Sequence, residues 1–337
     1  MLNTFRFYEI DHVSYDLMEG SVWPGLQQHF LETYGIATSA EVLDHLDTDF
    51  RWIGMRYLDQ KSAAPPPSET SGTMSKVVAD GPLSGAMGVS EIAAHSWPDP
   101  SRWVPADYKS AREQWPDHAL VFMAGWCPLF WGTCEAFGVE AALTNMLSSP
   151  FLFEAAVQNI HDRYMDRLIR GLKSAQGYCD ICWLGDDFSS QQSMFISPEH
   201  WRHFIKPYLA KQVRLAREHG MFVLYHSCGS VRPVLADLID IGVNALLVFQ
   251  TSARGMDAGS IAEEFGGRMA FYGGMDVQQL LSFGTALEVE ARVRENVRKF
   301  ADTGGYIVAN SHHRVATITG ANIEVMCRTA RATTTGG

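Results

Sequence analysis

The sequence predicts an α/β protein in which parallel strands alternate with helices, as a barrel or as an open doubly wound sheet. One observation is six short apolar runs, Ala119–Ala124, Asp180–Leu184, Phe222–Tyr225, Ala245–Phe249, Met269–Tyr272 and Tyr306–Ala309. Runs this short and this apolar suit strands buried on both faces. A second is that helical patterns with physical start and stop signals lie between them. A third is negative: no Gly-x-Gly-x-x-Gly or Walker-type loop follows any run, which disfavours a dinucleotide fold.

Taken in order, the first half is the less regular. Strand-like pieces occur at His12–Met18 and Arg51–Tyr57. A polar, proline-rich stretch with Pro65-Pro66-Pro67 follows, read as an irregular excursion over about 59–118. Ser149-Pro150 opens a long helix ending near Gly177. Ser197-Pro198 gives an N-cap and first helical residue, with Trp201, Phe204, Tyr208 and Leu209 at helical spacing and Gly220 after the last turn. Pro207 inside that pattern predicts a kink. Pro233 sits in the first turn of a helix closed around Gly242.

Composition narrows the function classes. The 337 residues are 46% hydrophobic, enough to bury a sizeable core, and the length suits one large domain or two smaller ones. The formal net charge is −11, which repels phosphates and argues against nucleic acid or an anionic membrane as partner. No apolar run is long enough to span a bilayer, and from the start Met1–Arg6 no secretion signal is expected. Six dispersed cysteines make no disulfide framework, so a reduced cytoplasmic setting is expected.

In a parallel barrel, functional groups gather at the C-terminal ends of the strands. The residues at those ends are Trp126 and Cys127, Asp186 and Asp187, His226 with Cys228, Gln250, Asp276, and Ser311-His312-His313. Any one of them is also what a polar loop would carry; the recurrence is the stronger signal. His226 and Cys228 are two apart, so on an extended chain they project together. One imidazole and one thiolate make half of a zinc site, with His312 as the expected third ligand. The alternative is a packed cysteine beside a hydrogen-bonded histidine. Adjacent Asp186 and Asp187 suit proton transfer, since neighbouring carboxylates raise one another's pKa, or they are a solvated pair. Trp126, Gln250 and Asp276 are expected to line the substrate, and Arg232 and Arg314 stand where a guanidinium could bind a substrate carboxylate. Cys179 and Cys182 form a Cys-x-x-Cys at the start of a predicted strand, the wrong end for a barrel site, and are read as structural. So is Cys327, in the final helix.

Several segments resemble the uroporphyrinogen decarboxylase superfamily. They are Trp183–Phe188, Ile196–Trp201, Tyr225–Pro233, Tyr272–Asp276 and Asn310–His313, in the family's order over residues ~120–330. The resemblance implies a single-domain (β/α)8 TIM barrel over 1–337. It implies either a decarboxylase of tetrapyrrole biosynthesis or a zinc methyltransferase that moves a methyl group between a corrinoid protein and a thiol or tetrahydrofolate. In the thiol-specific methyltransferases a His-x-Cys pair and a later cysteine hold zinc; here these map to His226, Cys228 and His312. The decarboxylases carry an arginine-rich Arg-Gln-Ala-Gly-Arg-Tyr segment for substrate carboxylates, and this chain has none. A zinc-dependent methyltransferase with a small corrinoid protein as partner is therefore the leading expectation. A porphyrin decarboxylase using His312 for protons comes second, and a non-catalytic corrinoid- or porphyrin-binding protein third.

Overall fold

The computed structural model describes residues 2–7, 12–58, 79–126, 128–312 and 316–334. Its centre is a curled parallel sheet of seven strands: β1 (Phe50–Gly54), β4 (Ala119–Met123), β5 (Ile181–Gly185), β6 (Phe222–His226), β7 (Ala245–Phe249), β8 (Ala270–Met275) and β9 (Tyr306–Asn310), adjacent in that order. Every neighbouring pair is parallel. Two short strands, β2 (Arg56–Tyr57) and β3 (Trp103–Val104), pair separately as an antiparallel ribbon.

Strand alternation sorts the core into two compartments. Phe50, Val121, Ile181, Trp183, Leu224, Leu247, Tyr272, Ile307 and Ala309 pack together on the concave face. Their neighbours Leu120, Phe122, Leu184, Tyr225, Leu246, Phe271 and Val308 join the larger core beneath the helices. The residues of one strand therefore serve two cores, which is why the strands read as unbroken apolar runs.

The expected strand at His12–Met18 reduces to a single parallel bridge, Tyr15 to Val308 of β9. That segment still lies between the two edges of the sheet. Val308 N–H donates to Ser14 O (2.9 Å), Asp16 N–H to Val308 O (3.0 Å), and Asp49 N–H, just before β1, to Tyr15 O (3.1 Å). Among the described residues an eighth strand is not formed, so the structure gives seven strands and a bridging segment.

The helix signals hold. Ser197 caps Pro198–Phe204, and Pro150–Ala175 is one helix of 26 residues. Pro207 does more than kink: the chain breaks at Ile205 and a new helix, Lys206–Glu218, starts with the proline in its first turn. The excursion is more ordered than expected. Residues 59–78 lie outside the described residues, but the rest carries helices Val89–Ala94 and Tyr108–Gln114 and strand β3. Cys179 and Cys182 are free thiols buried in the helix-facing core, as a structural reading requires. No described helix is long and apolar enough to cross a membrane.

Candidate metal centre

The end of β6 puts His226 and Cys228 on one side of the sheet, and the turn after β5 brings Asp187 to them. His226 Nε2 lies 3.7 Å from Cys228 Sγ and 3.7 Å from Asp187 Oδ1. One donor atom from each of the three residues falls within 4.8 Å of the other two. A tetrahedral zinc with Zn–N of about 2.0–2.1 Å and Zn–S of about 2.3 Å sets its donors roughly 3.4–3.6 Å apart. The spacing and the N, S and O donor chemistry fit such an ion.

Glu19 completes the arrangement. Its Oε1 accepts from His226 Nδ1 at 2.7 Å, so that in the neutral imidazole the proton sits on Nδ1 and the Nε2 lone pair faces Asp187 and Cys228. Glu19 sits in the turn Met18–Gly20 at φ 55, ψ 27, a left-handed conformation unusual for a non-glycine residue. Burial disfavours a charge on His226, but Glu19 and then Asp187 outweigh it and raise the imidazole pKa. Burial, reinforced by Asp187, pushes the Cys228 thiol well above its ordinary range. A cation that displaces both protons would relieve this excess of acidic groups.

Two indoles wall off the imidazole. Trp126 meets the His226 ring edge-on at 5.2 Å, Trp183 does so at 6.0 Å, and the two indoles lie 5.6 Å apart. Gly185 is needed beneath them, because a Cβ there would stand 2.6 Å from Trp126 and 2.8 Å from the His226 Cβ.

The loops that carry the donors are fastened to each other. Cys228 N–H donates to Asp187 Oδ1 at 3.1 Å, and Ser189 Oγ donates to Cys228 O. Gln250 Oε1 accepts from Gly229 N–H and from Gln191 Nε2, both at 2.8 Å. Gly229 has φ +81, and a Cβ there would lie 2.3 Å from Ser190 O. Gln250 follows a bulge in β7 at Val248, a β-branched residue at φ 72. The bulge re-aims the chain just before the residue that ties both loops together.

The expected site residues have divided roles. Asp187, His226 and Cys228 converge, with Trp126 against them. His312 is not part of the three-donor group. It lies just past β9, where its carbonyl accepts from Asn310 Nδ2 at 2.8 Å. Asp186 turns away from the cluster. Its carboxylate accepts from the N–H groups of Phe130 (2.7 Å) and Trp131 (3.1 Å), capping the helix Leu129–Phe137, while burial raises its pKa to about 7. Asp276 accepts from Gln279 and Leu280 N–H (2.7 and 3.3 Å) and so holds a turn. Arg232 is engaged by Gly255 O, Ser260 Oγ and Glu264. Cys127, His313 and Arg314 lie outside the described residues.

Sequence reasoning missed Glu19, Asp16, Trp52 and Tyr272. Asp16 is fully buried; its Oδ2 accepts from Trp52 Nε1 (2.8 Å) and Tyr272 OH (2.6 Å). The available signal was an acid immediately past the strand-like piece His12–Met18.

Fold and site together define an α/β protein of the curled parallel-sheet class, with a group of three residues able to hold a metal ion at the C-terminal ends of its strands. Residues 133–333, more than half of the chain, match the family uroporphyrinogen decarboxylase (URO-D). The chain belongs to that family. Among solved structures it is similar to a methyltransferase from Methanosarcina mazei, at 15% identity and TM-score 0.63, over 98% of this chain and 96% of that one. The two share the fold. An L-ribulose 3-epimerase is a looser match, at 10% identity and TM-score 0.45, over 96% of this chain and 92% of that one. No curated protein sequence matches significantly.

Proposed function

We propose that this chain is a zinc-dependent methyltransferase of the URO-D family, working in the cytoplasm. It would move a methyl group between a corrinoid carried by a small partner protein and a thiol or tetrahydrofolate. The observation that supports this most is the convergence of Asp187, His226 and Cys228, with Glu19 behind the imidazole. The likeness in fold to a protein named a methyltransferase adds to it.

In this reading Asp187, His226 and Cys228 hold the ion, leaving a fourth position for the acceptor. Bound zinc supplies Lewis acidity that keeps a thiol deprotonated at neutral pH. Glu19 fixes the tautomer and direction of His226. Trp126 and Trp183 exclude water from that ring. Gln250 and Gly229 keep the Cys228 and Asp187 loops in register. His312, at the end of β9, is assigned to proton handling at the acceptor.

Decarboxylation of a uroporphyrinogen is disfavoured by charge. The acids Glu19 and Asp187 gather where a substrate with many carboxylates would need cations.

The test is metal analysis of purified protein, paired with methyl transfer from methylcobalamin to small thiols and to tetrahydrofolate. Wild type should carry about one zinc, and Asp187→Ala, His226→Ala and Cys228→Ala should each lose it together with transfer. Zinc content unmoved by all three substitutions would remove the reading. Turnover of uroporphyrinogen without methyl transfer would replace it.

A further inference from the structure

A cavity of about 230 Å³ opens beside the candidate metal centre, with Trp126 common to both. It is formed where the excursion packs on the helix Pro150–Ala175. Its walls include Trp97, Trp103, Trp126 and Tyr164. Trp97 is fixed by its Nε1–H, which donates to Ile92 O at 2.9 Å. Trp126 is shared: the same indole meets the His226 ring. Four aromatic walls in so small a volume fit one flat ring, because ligands of drug size occupy about 300–1,000 Å³.

Two arginines line this cavity. Arg167 lies 4.5 Å from the Trp103 ring and 4.9 Å from that of Tyr164, and it donates to Gly125 O and Trp126 O (3.3 and 3.2 Å). Arg163 is four residues earlier on the same helix, hence on the same face. Its Nε–H is buried with no hydrogen-bond partner. The two acids of the lining do not meet that need. Asp99 is turned to the N–H and hydroxyl of Ser101, both at 2.8 Å, and Glu135 has a partner of its own. A buried guanidinium N–H without an acceptor is costly unless a ligand supplies one. A carboxylate is the acceptor that a guanidinium fork matches best.

We propose that this cavity is a binding site for a small aromatic carboxylate, its ring between Trp97, Trp103 and Trp126 and its carboxylate on Arg163. The site is separate from the metal donors and does not depend on a metal being bound.

Benzoate is the probe, with isothermal titration calorimetry and tryptophan fluorescence as readouts. Wild type should bind one benzoate saturably, and neutral benzamide at least tenfold more weakly. Arg163→Gln, with its fold checked by circular dichroism, should lose at least tenfold in benzoate affinity, and Arg163→Lys less. Cys228→Ser should lose zinc and keep benzoate affinity within twofold. No saturable binding of benzoate would overturn the proposal. So would equal affinity for benzamide, which needs no variant to fold. An unchanged Arg163→Gln, or loss of benzoate binding in Cys228→Ser, would overturn it as well. Benzoate binding by a wild type that holds no zinc would sink the metal reading and leave this one standing.

Discussion

At position 226 the imidazole is held from both nitrogens, by Glu19 on Nδ1 and by the Asp187–Cys228 pair facing Nε2. The carboxylate behind a histidine ligand orients it and raises its basicity, and such partners matter about 10–100-fold for metal affinity. Glu19→Gln is therefore expected to weaken zinc binding roughly 10–100-fold, as read by competition with a chelator of known affinity. Asp16 gives a prediction of opposite kind. Burial raises its pKa from 3.8 to about 7, against the bonds from Tyr272 and Trp52. A carboxyl with a raised folded-state pKa is most favourable below its unfolded value, and that contribution is lost as pH climbs through about 7. Asp16→Asn keeps an acceptor for Trp52 and Tyr272 but cannot ionise. It should gain on wild type between pH 4 and pH 8, by on the order of 2–4 kcal/mol, in urea unfolding at each pH. A difference between the two proteins that does not change with pH would contradict this.

Among elements, the β5 and β6 loops matter most, because neither holds a donor in place by itself. Ser190 O accepts from Ser230 N–H at 2.9 Å, and Gln250 reaches in from β7 to the turn at Gly229. Gly229 is required twice, by its positive φ and by the carbonyl that a Cβ would strike. Gly229→Ala should cost about 1–3 kcal/mol and lower zinc occupancy, although position 229 ligates nothing. Thermal unfolding and metal analysis on the same sample check both effects. The strands and helices themselves were largely legible. The apolar runs marked six of the seven strands to within a few residues, and Ser149-Pro150 and Ser197-Pro198 marked two helix starts. The poorest match was His12–Met18, read as a strand-like piece, where one bridge is found. Pairing there depends on β9, nearly 300 residues away, and on Asp49 before β1. Local pattern carries no information about either.

For the molecule as a whole, the residues that would hold and brace the ion come from the two halves of the chain: Glu19, then Asp187, His226 and Cys228. Such a site exists only in the folded state, so metal binding is linked to global stability. Zinc at a hundred times its dissociation constant should raise stability by about 2.7 kcal/mol. For 337 residues that is roughly 4 °C in Tm. Scanning calorimetry with zinc and with chelator should show the shift in wild type and not in Cys228→Ala.

The sequence by itself determined the alternation of strands and helices and the pairing of His226 with Cys228, because these follow from local periodicity and from a two-residue spacing. It also carried the family, through short motifs in order along the second half. Only the tertiary structure decided that Asp187 joins that pair while Asp186 caps a helix, and that Glu19 stands behind the imidazole. It also left His312 outside the three-donor group. Those assignments depend on how separate loops meet at one end of the sheet, and on the rotation of each strand end. Long-range packing sets both, and no pattern within a single segment encodes them.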